Sequence, residues 1–360
     1  GHILGLVKGD NWEDPAVLDG LCTTTAAVAE RIRKDVSERL GLRAAAAPPY
    51  AQRDEVRAFA AEFAQQHELP LAWVSAQLAQ ARLQPAAQRL MMPPPAGTAK
   101  NWAAYRERFV EPQRIAAGVR FWNQHAAWLE RAQAEFGVPA AVIAGIIGVE
   151  TFYGRHTGNF RVLDVLATLA FDFPAGRRDR SAFFRDELAA FLLLCRHEPA
   201  DCSAPRGSYA GAMGLPQFMP SSINRYALDY DGDGRVDLSG SAADVIGSVA
   251  NFLAAHGWQR GMPITYGVAA PSDASERATL LVPDIVPSFS AEQMAAHGAE
   301  LAAAGRMHDG PLALVELQNG AAAPSFVAGT QNFYALTRYN WSSYYAMAVI
   351  TLGEAVQRKR

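Results

Sequence analysis

The sequence predicts a mainly helical α+β protein with one small β-rich unit and a single acidic loop patterned like that of an EF-hand. Three observations carry this expectation. Apolar residues recur at helical spacing over most of the 360 residues. After Gly261 that period gives way to short strand-like segments separated by Pro, Gly and Asn. The run Asp229-Tyr-Asp-Gly-Asp-Gly-Arg-Val-Asp237 places carboxylates at alternate positions around two glycines.

Composition narrows the class. Half of the residues are hydrophobic and 19% are charged, the mix of a folded globular chain. A formal net charge of −3 gives no electrostatic reason to expect a nucleic acid partner. No apolar run approaches the roughly 18 residues that a membrane-spanning helix needs. The chain starts at Gly1-His2, without an initiator Met or a basic-then-apolar leader, which leaves open a removed export signal or lipid anchor. Cys195 and Cys202 are close enough in sequence for a disulfide across a turn at Pro199, with Cys22 left over; three buried or reduced thiols are the equal alternative.

Residues 1–48 mix a helical pattern with an Ala-Pro linker from Ala44 to Pro49 and have no assigned role. Residues 49–125 form a helical unit. Val56, Phe59 and Phe63 share one helix face, Leu71, Val74 and Leu78 another, and Pro70 sits where the second helix begins. Met91-Met92-Pro93-Pro94-Pro95 ends the pair. Trp102, Tyr105, Phe109, Phe121, Trp122 and Trp128 follow and read mostly as core, with a sugar platform as the other possibility. Residues 126–260 are again helical around loops of Gly, Asp and Pro, and contain the acidic loop 229–244. Residues 261–338 are the β-rich unit, with strand-like segments at Ile264-Tyr266, Leu280-Val282, Ala313-Leu317 and Ser325-Ala328. Residues 339–360 close the chain with a helix that packs back on the helical part.

The acidic loop is the strongest local signal. Asp229, Asp231, Asp233 and Asp237 occupy positions 1, 3, 5 and 9 of an EF-hand loop, and Gly234 gives the sharp turn at position 6. Arg235 at position 7 offers its backbone carbonyl. Position 12 is Gly240 instead of a bidentate Glu, so an expanded loop closed by Asp244 is expected. Hard oxygen ligands in this number predict Ca2+, as a structural ion at a single site. The alternative is a metal-free acidic surface turn.

Glu150 is the candidate catalyst. Ile143, Ile146 and Ile147 precede it by seven, four and three residues, so it shares an apolar helix face. A carboxyl there is costly unless neutral or paired. Desolvation and the negative end of the helix dipole both favour the neutral acid, the form that protonates a leaving glycosidic oxygen. A structural Glu paired with Arg155 or Arg161 is the alternative. Downstream, Ser208 to Ser222 is a Gly-rich loop leading into a helix that Ser221 or Ser222 can cap. Ser208 and Gln217 on it offer neutral hydrogen bonds suited to sugar hydroxyls and N-acetyl groups.

Taken together, these blocks resemble the membrane-bound lytic murein transglycosylase B family, within the lysozyme-like superfamily. The matching segments are Gly145 to Thr151, Leu163 to Leu169, Gly207 to Ser222, Asp229 to Trp258, Thr337 to Asn340 and Tyr344 to Ala348, with Asn101 to Tyr105 and Val119 to Asn123 similar as well. The resemblance implies a lysozyme-like helical core with an additional helical domain and a small β domain. It implies cleavage of the β-1,4 bond between N-acetylmuramic acid and N-acetylglucosamine without water, leaving a 1,6-anhydro end. One carboxyl then suffices, and no partner acid is needed; Asp164, the nearest candidate, reads as a helix N-cap. By matching motif, Tyr105, Tyr339, Asn340 and Tyr345 join Ser208 and Gln217 at the sugar. Phe252 stands where the family often has Tyr, and the family's arginine pair maps onto two of Arg177, Arg178 and Arg180.

The implied setting is the bacterial periplasm, soluble or lipid-anchored at the outer membrane. The implied partner is the peptidoglycan glycan strand, met by a monomer, with other cell-wall enzymes as further candidates. A lysozyme-type hydrolase and a non-catalytic peptidoglycan-binding scaffold are the competing readings.

Overall fold

The structure is a computed structural model that describes residues 48–93, 100–197 and 201–360. Cys22, most of the Ala-Pro linker and Pro94-Pro95 lie outside the described residues. Helices α1 (Asp54–Gln66), α2 (Leu71–Ala79) and α3 (Pro85–Met91) come first. Val56, Ala60 and Phe63 of α1 and Val74 and Leu78 of α2 are buried, as their spacing requires.

Helices α4 (Trp102–Phe109), α5 (Pro112–Gln124), α6 (Ala126–Phe136) and α7 (Ala140–Thr151) follow. Pro112 at the first turn of α5 and left-handed Gly137 after α6 set two of their ends. Eleven of the twelve α7 residues are buried, which explains why it is apolar all round. A short strand β1 (Phe160–Arg161) leads to α8 (Val162–Phe171) and α9 (Ser181–His197), and β2 (Arg206–Gly207) pairs back on β1. Helices α10 (Pro220–Tyr226) and α11 (Ala242–Ala255) flank the acidic loop.

Strand β3 (Thr265–Ala269), helices α12 (Ala274–Leu281) and α13 (Ala291–Ala296), strand β4 (Glu300–Leu301), helix α14 (Ala303–Arg306), and strands β5 (Ala313–Asn319) and β6 (Ala322–Gly329) come next. The four strands form one antiparallel sheet in the order β4-β3-β6-β5. The strand expected at Leu280-Val282 is instead the end of α12. Asp273 caps that helix by accepting from the Ser275 and Glu276 amides, and only Leu280 on it is buried. Helices α15 (Gln331–Thr337) and α16 (Ser343–Lys359) end the chain.

Two large cores result. Helix α7 lies at the centre of one, against α16, α5, α6 and α11. The other joins α1, α2 and α3 to α8 and α9. Tyr50 and Arg53 fasten the second core, both bonding Asp172 at the end of α8 at 2.6–2.8 Å. Among the described residues no single helix is long and apolar enough to cross a membrane. Cys195 and Cys202 are buried free thiols, and the hydrogen bond between them, with burial, pushes the Cys195 thiol up.

Candidate active site

Helix α7 delivers Glu150 to the end of a buried rod. The residues after it turn sharply: Phe152 has φ 53°, Tyr153 56° and Gly154 91°, three left-handed positions in a row. The helix therefore ends at Phe152, two residues before Gly154, with non-glycine residues in a conformation that costs energy. Tertiary contacts hold them there. Arg114 donates to the Gly148 carbonyl at 3.2 Å, and its guanidinium lies 4.6 Å from the Phe152 ring centroid. The Tyr153 hydroxyl fits a notch between helices where β-carbons on Gly118 and Gly148 would lie 2.3 and 2.5 Å from it.

Glu150 is 8% exposed. Three tyrosines face it. Burial first, and then the Glu150 charge, push the pKa values of Tyr105, Tyr339 and Tyr345 up, so each hydroxyl stays protonated and can donate. Tyr345 lies beside the Glu150 carboxyl, and its ring stacks on Tyr339 at 6.2 Å and 15°. Arg155 lies over the Phe152 ring, and Arg161 turns to Asp164. Asp164 is not an N-cap. It is the third residue of α8, pairs with Arg161 at 3.2 Å and accepts the Arg82 amide at 3.0 Å.

The loop from Gly207 to Met219 is pinned to the same centre. Tyr339 donates to the Pro216 carbonyl at 2.6 Å, and Thr151 donates to the Leu215 carbonyl at 3.0 Å. Ser208 Oγ accepts from the Ala210 and Ala212 amides at 3.2 and 3.0 Å, which leaves its proton to donate. Gln217 is held at φ 53° while its Nε2 donates to Gly214 and Thr157 carbonyls, which leaves the amide oxygen as an acceptor. Neither Ser221 nor Ser222 caps α10, whose N-cap is Met219; Ser221 instead bonds Glu187 at 2.6 Å. Asn340 is 3% exposed, one residue past Tyr339. Phe252 is buried in edge contact with Tyr339 at 4.9 Å, so it serves this cluster as a wall.

Of the three candidate arginines, Arg177 reaches the loop. Its charge opposes the burial that pushes the Tyr209 pKa up to about 12, and its guanidinium donates to the Met91 carbonyl. Arg178 is exposed, and Arg180 stacks over Phe183 at 4.7 Å.

In the acidic loop, carboxylate oxygens of Asp229, Asp231 and Asp244 lie within 4.8 Å of one another, a set of hard donors that could hold a divalent cation. Asp244 is fully buried and accepts from the Tyr230 and Asp237 amides at 2.7 Å and from Asp231 at 3.4 Å. It closes the loop, although it lies beyond position 12. Asp233 and Asp237 stay outside the group, accepting from the Arg235 amide and from the Ser239 and Gly240 amides. Tyr230 anchors the loop to α6, bonding Glu135 at 2.9 Å under the Arg131 guanidinium.

Sequence reading missed Arg114, Tyr153 and Tyr344. Arg114 and Tyr153 support α7 from α5 and from the left-handed turn. Tyr344 wedges against Tyr105 at 5.8 Å and donates to the Gln318 carbonyl, tying the sheet to the site. Tyr344 opens the matching Tyr344 to Ala348 segment, which gives it no role of its own.

The chain belongs to the transglycosylase SLT domain family, whose match covers residues 51–354. With that family and this mainly-α, lysozyme-like fold, it is an enzyme, a lytic transglycosylase of peptidoglycan. It is 42% identical to the membrane-bound lytic murein transglycosylase B of Escherichia coli (strain K12) over 273 residues, covering 74% of this chain and 70% of that protein. The E. coli lytic transglycosylase Slt35 in complex with calcium is 38% identical, with a TM-score of 0.74 over 88% of this chain and 95% of that one. SltB3 from Pseudomonas aeruginosa in complex with NAG-anhNAM-pentapeptide is 29% identical, with a TM-score of 0.68 over 84% and 79%.

Proposed function

We propose that Glu150 performs both proton transfers of the reaction, and that the muramic C6 hydroxyl is the nucleophile. The observation that carries this reading is electrostatic: among the described residues, Glu150 is the one carboxylate whose charge acts on Tyr105, Tyr339 and Tyr345. A hydrolase of this kind uses a second carboxylate to activate water or to attack the sugar. Asp164, the local alternative, is held by Arg161 and the Arg82 amide.

The protonated Glu150 gives its proton to the glycosidic oxygen as the bond from C1 breaks. The resulting carboxylate accepts the C6 hydroxyl proton as O6 bonds to C1, which closes the 1,6-anhydro ring and restores the acid. Tyr345 and Tyr105 donate to the carboxylate between the two steps, and Tyr339 holds the loop that carries Gln217. Ser208, Gln217 and Asn340 bind sugar hydroxyls and N-acetyl groups. The SltB3 complex with a muropeptide supports glycan strands as the ligand.

Calcium is the cation that fits the acidic loop. Asp229, Asp231 and Asp244 supply oxygens, and Asp233, Asp237 and the Arg235 carbonyl complete the set on ordering. The calcium complex of Slt35 supports this. The ion neutralises like charges at the end of α10 and so steadies the loop structurally. A periplasmic location follows from the substrate. Digestion of purified sacculi in heavy-oxygen water tests the chemistry: unlabelled anhydro ends are expected, and label at the new muramic ends would contradict it.

A further inference from the structure

A recess of about 400 Å³ lies between the helical unit and the β1–β2 ladder, lined by Gln84, Asn159, Phe160, Arg161, Asp164 and Arg206. It is separate from the residues gathered around Glu150. Arg161 and Arg206 are direct partners in the antiparallel ladder, so their side chains share one face. Like charges placed opposite one another repel. Asp164 offsets only one of them, because it pairs with Arg161, whose guanidinium also donates to the Ser203 and Gln80 carbonyls. Arg206 is exposed and has no carboxylate partner among the described residues.

The remaining lining is neutral and suited to a peptide. Gln84 and Asn159 carry amides that can both donate and accept, and Phe160 offers a half-buried ring. The recess also has a fixed place relative to Ser208. A β-carbon on Gly158 would lie 2.1 Å from the Gly207 carbonyl oxygen, so the ladder is locked between Arg206 and Ser208.

We propose that this recess binds the carboxylate-bearing stem peptide of the glycan strand, with Arg206 taking a carboxylate and Gln84 and Asn159 bonding the peptide amides. The proposal rests on Ser208 lining the glycan site two residues further along the chain. It assigns Arg206 to specificity and leaves the proton transfers to Glu150.

The test compares wild type with Arg206→Gln on intact sacculi and on the same glycan stripped of peptides by an amidase. On sacculi, KM should rise about tenfold in the variant with kcat unchanged, the loss of one charge-assisted contact. On stripped glycan the two proteins should be indistinguishable. Arg206→Lys should restore most of the difference, since it keeps the charge. Free stem pentapeptide, titrated calorimetrically, should bind wild type more tightly than Arg206→Gln. Equal KM on sacculi, or an equal rise on both substrates, overturns the proposal. Anhydro products from stripped glycan with wild type show in the same assay that the glycan reading stands independently.

Discussion

A β-carbon on Gly145 would lie 2.4 Å from the carbonyl oxygen of Val349, so α7 and α16 meet backbone against backbone. The contact is matched one turn away, where a β-carbon on Gly353 would lie 2.1 Å from the Ala141 carbonyl. This crossing brings Glu150 on one helix to Tyr345 on the other. A side chain at Gly145 has no flexible neighbour to displace, since the obstacle is main chain. Gly145→Val should therefore destabilise by about 3 kcal/mol and reduce activity through the displaced acid. Thermal melting by circular dichroism checks this, and a melt like that of wild type would contradict it.

In the proposed mechanism Tyr345 donates to the Glu150 carboxylate formed between the two proton transfers. Tyr345→Phe keeps the ring and its stacking on Tyr339 while removing the donor. Turnover should fall about ten- to a hundredfold with KM little changed, as expected for a hydrogen bond to a charged group. Steady-state kinetics on solubilised glycan separate the two terms.

The acidic loop should couple stability to calcium. At calcium a hundredfold above Kd, binding adds about 2.7 kcal/mol, which a chelator removes. Replacing both Asp229 and Asp231 by Asn should abolish this dependence with little loss in chelator. Asp244→Ala should lower the melting temperature with or without calcium, because it strands the Tyr230, Asp231 and Asp237 amides. Melting curves with calcium and with chelator distinguish the three.

The Arg53–Asp172 clip should make stability fall in acid. Burial alone would raise the Asp172 pKa, but bonds from Arg53 and Tyr50 outweigh it and hold the carboxyl below its ordinary value of 3.8. A lowered folded pKa means the stabilisation is complete above that ordinary value. It drains as pH falls through the lowered one. Asp172→Asn should cost about 1–2 kcal/mol at neutral pH, discounted for partial exposure, and flatten the acid limb of the melting profile.

Much of this was legible in the sequence because local pattern and tertiary need agree. The spacing of Val56 and Phe63 or of Leu71, Val74 and Leu78 identifies helices whatever they pack on. The Asp229 loop announces itself through ligand types at fixed offsets. Leu280-Val282 misled because three apolar residues in a row carry no period; the Asp273 cap upstream decided the matter. The left-handed backbone at Phe152 and Tyr153 has no signal in the local sequence, because Arg114 and the notch at Gly118 and Gly148 help to hold it. Arg114 and Gly118 lie over thirty positions away on α5, and only Gly148 belongs to α7 itself. Asp164 looked like a cap because its partner, the Arg82 amide, is far off in the chain.

The central claim is that Glu150 alone moves both protons. Glu150→Gln keeps the size and the tyrosine cage while removing the transferable proton. Digestion of purified sacculi, with soluble products identified by mass, and sedimentation of the variant with sacculi test it together. The expected result is a loss of anhydro-muropeptide release by about 10³-fold or more with binding retained. Release of anhydro products by Glu150→Gln at the rate of wild type would contradict it.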